Sequence, residues 1–152
     1  MYRKATTDDC EKIHALICDM ENKTLPFGKF SEIFGAQLRS GDYYCLVNER
    51  DHDVIAVLNL RFEQQLHHCE RIAEIMEFAV DPAWRNQGIG REMLETACRI
   101  ARAHDCTQIE VACNRLRTDT HRFYLREEMR KFHYKFSKPL TGENSAENAL
   151  GR

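Results

Sequence analysis

Apolar positions along the chain change their period several times, and each change marks an element. After a short strand at Tyr2–Ala5, Thr7 offers an N-cap, and Ile13, Leu16, Ile17 and Met20 recur at helical spacing. Pro26 and Gly28 end this helix, and Phe30–Arg39 reads as a second, shorter one that stops before Gly41. The period then falls to two. Tyr43–Val47 and Val54–Gln65 form a hairpin around Asn48–Asp53, with Leu58, Leu60 and Phe62 alternating against Asn59, Arg61 and Glu63. Arg71–Val80 is a further strand. The clearest helix follows: Ile89, Met93, Leu94, Ala97, Ile100 and Ala101 share one face, and Arg91, Glu92, Glu95, Arg99 and Arg102 point away from it. Gln108–Ala112 reads as a strand, Asp119–Glu127 as a short helix and Arg130–Ser137 as a final strand. The order β-α-α-β-β-β-α-β-α-β predicts an α+β protein, a mixed sheet with helices on its faces.

Length and composition agree with one such domain. A chain of 152 residues buries about 68–70% of its unfolded surface, so no disulfide or metal staple is required. Residues 1–140 are expected to form the domain and 141–152 a polar tail. The balance of 22 basic against 24 acidic residues, net −2, argues against nucleic acid or an anionic membrane as partner. No apolar run reaches the roughly 18 residues of a membrane helix. Met1-Tyr2-Arg3-Lys4 leads into polar residues, not the apolar stretch of a signal peptide. Cysteines at 10, 18, 45, 69, 98, 106 and 113 form no Cys-x-x-Cys pair. They are expected to be reduced, mostly core-filling thiols of a cytoplasmic protein, and no metal site is expected.

One segment carries specific chemistry. In Val80-Asp81-Pro82-Ala83-Trp84-Arg85-Asn86-Gln87-Gly88-Ile89-Gly90, a strand ends at a proline, and a two-glycine loop then opens the long helix. The unpaired N–H groups of a first helical turn and the positive end of the helix dipole favour an anion. Glycine lets the backbone approach it, and Arg85 adds a full charge. A diphosphate is the natural guest. The segment lacks the Gly-Lys-Ser/Thr of a P-loop, and the third glycine of a dinucleotide G-x-G-x-x-G would fall at Met93.

Val80–Gly90 resembles the coenzyme A signature of the GCN5-related N-acetyltransferase (GNAT) superfamily. Asn114 and His121-Arg122-Phe123-Tyr124 resemble that family's second conserved region. The stretch from Leu66-His67-His68 through Glu74, Glu77, Asn114, His121–Glu127, His133 and Lys138 is most similar to the aminoalkylphosphonate N-acetyltransferases. The resemblance implies the GNAT fold, a central, mixed, mostly antiparallel sheet of about six strands flanked by four helices. It implies acetyl-CoA as cosubstrate, with Phe78, Ala79 and Val80 hydrogen-bonding the pantetheine arm and Arg85, Asn86, Gln87, Gly88, Ile89 and Gly90 cradling the diphosphate. It implies that Asn114 contacts the pantetheine and that Tyr124 approaches the sulfur. Relatives usually place glycine and an aromatic residue after the tyrosine helix, whereas this chain has Glu128 and Met129. In that place Glu128 would need the left-handed conformation.

Acetyl transfer to an amine needs a base for the ammonium, a donor for the oxyanion and a proton for the departing thiolate. Glu74 and Glu77 are the base candidates, set in the otherwise apolar strand Ile72–Val80, where burial raises a carboxyl pKa. Three residues apart, they fall on opposite faces of a regular strand unless a bulge intervenes. Tyr124, protonated at neutral pH, is the acid candidate, and a backbone N–H near Phe78–Val80 could serve the oxyanion. His67, His68 and His133 could line an acceptor pocket or bind a metal, though lone histidines are more often ordinary surface or core residues, and Arg115, Arg117 and Arg122 could pair with an anionic substrate. No cysteine has an evident base partner, so direct attack in a ternary complex is expected over an acyl-enzyme. The partners expected are acetyl-CoA and a small primary amine, with a homodimer left open. The competing readings are a protein or peptide N-acetyltransferase and a non-catalytic CoA-binding sensor.

Overall fold

The computed structural model describes residues 1–142, so most of the expected polar tail lies outside the described residues. The chain separates into two compact units, Met1–Val111 and Ala112–Arg152.

In the first unit, strands β1 (Tyr2–Lys4), β2 (Tyr43–Arg50), β3 (Asp53–Gln65), β4 (Glu70–Val80) and β5 (Gln108–Val111) lie in the order β1-β2-β3-β4-β5. All neighbours are antiparallel except β4 and β5, which run parallel. The β2–β3 hairpin closes through Asp51 and His52, with φ of 50° and 64°. Two successive left-handed residues are what a tight hairpin twisting with its strands requires.

Helices cover both faces. α1 (Cys10–Glu21) and α2 (Phe27–Arg39) pack on the face formed by Cys45, Val47, Val57 and Ala79, burying Ile13, Leu16, Ile17 and Phe34. The opposite face, with Leu46, Leu58 and Leu60, takes α3 (Ile89–Ala103), whose Ile89, Met93, Leu94, Ala97 and Ala101 are buried. His104 stacks there on Phe62 at 4.4 Å. The 3.6-residue pattern of α3 is thus the one read from the sequence, and it fixes which face of the helix is buried.

Boundaries near the N-terminus differ from the sequence reading. Thr6, not Thr7, caps a 3-10 turn at Thr7–Asp9 that leads into α1. α1 stops at a left-handed Asn22, before Pro26, and Pro26 sits at the N-cap of α2, which carries Gly28 inside it. The proline marks a start because it lacks the N–H that a first helical turn leaves unused.

Arg3 anchors this region. Its guanidinium donates from Nη1 and Nη2 to the two Asp9 carboxylate oxygens at 2.8 and 2.9 Å, and from Nε to Glu49 at 2.6 Å. Asp9 also accepts the Thr6 N–H at 2.7 Å. The Arg3 guanidinium holds the buried Asp9 carboxyl below its usual range. The stability this provides is present above the carboxyl's unfolded pKa and is lost as pH falls through the lowered folded value. Arg3→Met leaves Asp9 buried without its cation and is expected to cost about 3 kcal/mol at pH 7. Urea unfolding measures this, and the cost should shrink toward pH 3.

Among the described residues the sheet has five strands, not six. The predicted strand Arg130–Ser137 does not form, and Phe132, Tyr134 and Phe136 are 70%, 85% and 92% exposed. Their alternation specifies a two-sided strand but supplies no ladder partner, and a strand exists only with one. The second unit contains α4 (Thr118–Arg126). All seven cysteines are free; Cys10, Cys45 and Cys106 are buried, whereas Cys69 is exposed and does not fill the core.

Candidate active site

The two candidate bases share a face because β4 is not regular. Asn59 of β3 pairs with Glu77, but its neighbour Leu60 pairs with Ile75, so Met76 is an extra residue in β4. Arg61 then faces Glu74. Asn59 and Arg61 are two apart and share a face, so their partners Glu77 and Glu74 share it too. The expectation of opposite faces holds only without the bulge, and the bulge is present. Both carboxylates lie on the side covered by α1 and α2.

Their environments differ. Glu74 Oε2 takes a 2.7 Å hydrogen bond from Arg61 Nη2, a paired carboxylate near the edge of the site. Glu77 accepts 2.9 Å from Asn59 Nδ2 and has no cation bonded to it. Burial pushes the Glu77 carboxyl above its ordinary value; the Asn59 donor opposes this and the Glu21 carboxylate adds to it. A carboxylate in this state can hold a proton nearer neutrality than a solvated one.

The bulge also ends the parallel ladder. β5 pairs with Ile72–Ile75 only, and β4 continues through Phe78, Ala79 and Val80 along β3. Beyond Val80, Asp81 caps a short 3-10 turn by accepting the Ala83 N–H at 2.9 Å, and Arg85 leads into the loop. Asn86 and Gly88 both have left-handed backbone, φ 61° and 82°. Asparagine tolerates this region and glycine occupies it freely. A Cβ added at Gly88 would meet no atom within 4 Å, so the space over the turn is open. Glu92 makes the first helical bond, to the Gly88 carbonyl at 3.2 Å. The Ile89 and Gly90 amides therefore sit at the unsatisfied end of α3. Arg85 is held by its Nε on the Val80 carbonyl (3.1 Å) and by Nη2 on Asp19 (3.1 Å). Gln87 donates to the Ala83 carbonyl. The donor set and the open turn fit a diphosphate.

In the second unit, Asn114 accepts the Leu116 N–H on its side chain at 2.9 Å. Its carbonyl takes the Arg117 N–H and meets the His121 ring at 2.8 Å. Tyr124 lies on α4 beside Phe123, ring centroids 5.3 Å apart. Burial pushes its phenol up to about 12, with Cys113 adding and Arg117 opposing, so it stays protonated through the neutral range. Glu128 is left-handed, φ 65°. The Met129 N–H reaches the Tyr124 carbonyl at 3.0 Å and the Glu128 N–H the Leu125 carbonyl at 3.2 Å. This is a Schellman ending with glutamate where glycine fits best, so Tyr124 keeps its place in the helix despite Glu128. Glu128→Gly is expected to stabilise the protein by about 1 kcal/mol, read as a raised melting temperature.

Comparison with known proteins decides the family. The model described as the acetyltransferase (GNAT) family matches residues 5–128. The chain belongs to the GNAT acetyltransferase family. It is an acetyltransferase by that membership, and the family uses acetyl-CoA. The chain is also 36% identical, over 138 residues, to an aminoalkylphosphonate N-acetyltransferase of Salmonella typhimurium, covering 91% of this chain and 90% of that one. Two solved structures share the GNAT fold. A transcriptional regulator from Bacillus halodurans C-125 has a TM-score of 0.84 at 21% identity, covering 92% of this chain and 99% of its own. Glucosamine-6-phosphate N-acetyltransferase from Arabidopsis thaliana has a TM-score of 0.78 at 19% identity, covering 93% and 98%.

Within this GNAT chain several candidates stay apart from any cluster. His67 and His68 face each other in the β3–β4 turn, ring centroids 4.3 Å apart. His133 is exposed. Among the described residues, no group of three His, Cys, Asp or Glu is placed to hold a metal. Arg115 and Arg117 are exposed ahead of α4, and Arg122 pairs with Asp119 at 3.0 Å. No helix among the described residues is long and apolar enough to cross a membrane. The sequence reading missed Asn59, Gln37, Arg61 and Asp19, which partner Glu77, Asn59, Glu74 and Arg85. Asn59 and Arg61 were legible as the polar half of an alternating strand, yet the alternation assigns them to solvent rather than to carboxylates.

Proposed function

We propose that this chain transfers the acetyl group of acetyl-CoA to a primary amine of a small molecule, an aminoalkylphosphonate by preference, through direct attack in a ternary complex. The observation that carries the reading is the half-buried Glu77 carboxylate on β4, the strand whose end leads through a short 3-10 turn to the Gly88 turn. The backbone of Phe78, Ala79 and Val80 extends past the end of the β5 ladder, where an extended pantetheine arm can add as a strand does. Arg85, Asn86, Gln87, Gly88, Ile89 and Gly90 hold the diphosphate, Arg85 by exchanging Asp19 for phosphate. Asn114 is read as a further pantetheine contact.

Acetyl-CoA supplies the thioester. Glu77, deprotonated, takes a proton from the amine, directly or through one water. Its freedom from a cation supports it over Glu74, which Arg61 holds. Tyr124 holds a proton for the leaving sulfur. Arg115, Arg117 and Arg122 are read as the attraction for a phosphonate. Residues 1–140 act as one acetyltransferase domain in this reading, working in the cytoplasm, alone or as a homodimer.

Thiol release from acetyl-CoA, measured against 2-aminoethylphosphonate, polyamines, aminoglycosides and lysine peptides, tests the proposal. Turnover on the phosphonate above the rest is expected. Turnover on peptides alone would replace it with a protein acetyltransferase, and CoA binding without turnover on any amine would replace it with a sensor.

A further inference from the structure

Asn59 is one of three polar side chains in the core among the described residues, with 8% of its surface exposed. Its amide nitrogen carries two hydrogens, and both are used. One goes to Glu77 Oε2 and the other to Gln37 Oε1 on α2, each at 2.9 Å. An ionised carboxylate only accepts, so Glu77 requires the nitrogen of Asn59, not its oxygen, on that side. The second hydrogen must then find an acceptor or remain buried without one, and Gln37 provides it. Three elements (α2, β3 and β4) are thereby tied through one amide beside the Met76 bulge.

We propose that Asn59 is the positioning residue of the Glu77 carboxylate, and that Gln37 locks Asn59 in the orientation that serves it. This rests on Glu77 as the base. A half-buried carboxylate has several rotamers open to it, and a donor on one oxygen fixes which lone pair faces the amine. The same donor favours the charged form of Glu77 against burial and against Glu21 at the end of α1. Cys45 on β2 also interacts with Glu77, and Lys4 on β1 lines the same cavity as Cys45, Asn59 and Gln37. The Cys45 thiol is pushed up to about 12 by burial, with Glu77 adding, and so is neutral. Gln37 on α2 carries no charge. Asn59 is therefore the donor bonded to Glu77 that favours its charged form. Without it the Glu77 titration moves further up, and less of the carboxylate is free to accept a proton at a given pH.

The test follows the Glu77 carboxyl by carbon NMR in glutamate-labelled protein, assigned by its loss in Glu77→Gln, alongside the pH dependence of kcat/KM for 2-aminoethylphosphonate. In Asn59→Ala the Glu77 titration should move up by about one to two pH units. The acidic limb of kcat/KM should move with it, giving about a tenfold loss at pH values on that limb that is recovered at higher pH. Gln37→Leu, which leaves Asn59 in place and tests the proposal should the alanine variant not fold, should shift both in the same direction by less. An unchanged Glu77 titration in the folded variants would overturn the proposal, with or without turnover. A titration that moves while the limb of kcat/KM stays would instead overturn Glu77 as the base, and the positioning role with it.

Discussion

Glu77→Gln will lower kcat by about 10²–10⁴-fold, the range that a lost general base costs, and will leave CoA binding intact. Glutamine keeps an oxygen to accept the Asn59 N–H, so the 2.9 Å contact survives while the proton acceptor is lost. The substitution should not destabilise the fold. The Glu77 carboxyl is raised above its ordinary value by burial, so its contribution to stability is full below the unfolded pKa and disappears as pH rises through the folded one. At pH 7 the neutral glutamine avoids that cost, and the melting temperature of the variant should match or exceed the parent's. Loss of turnover with retained stability separates a chemical role from a structural one. Glu74→Gln gives the contrast: it breaks the 2.7 Å pair with Arg61 and should affect stability more than turnover.

Gly88→Val will weaken CoA binding by about 10–100-fold, equivalent to about 1.4–2.8 kcal/mol. With φ at 82°, a β-branched residue at 88 must either accept strain of about 1–2 kcal/mol or move the loop. Moving the loop shifts the unsatisfied Ile89 and Gly90 amides at the start of α3. Gly88→Ala, with only a Cβ entering open space, should lose less. Calorimetric titration with CoA measures both, and unchanged affinity in Gly88→Val would remove the turn from the binding site.

The parts of the site legible in the sequence are those where one residue type answers a local demand. Gly88 is needed for a left-handed turn, and Pro82 follows the Asp81 cap. α3 shows its buried face as a 3.6-residue repeat. The departure at Glu128 was equally local, and the left-handed backbone it demands is there at φ 65°. What sequence could not deliver depends on pairing between distant segments. The Met76 bulge is a mismatch between β3 and β4, so it has no signature within either strand, yet it places both glutamates on one face. Likewise the Gln37–Asn59–Glu77 chain joins three elements that only the folded sheet aligns. Phe132, Tyr134 and Phe136 show the converse, an alternating pattern with no strand observed.

The most direct test of Glu77 as the base of an amine acetyltransferase is the pH dependence of kcat/KM for 2-aminoethylphosphonate from pH 5 to 8.5, in the parent protein and in Glu77→Gln. The parent should lose activity as pH falls through a pKa above the ordinary carboxylate range, and the variant should be slow with that limb gone. A variant that keeps both the rate and the limb would contradict the assignment.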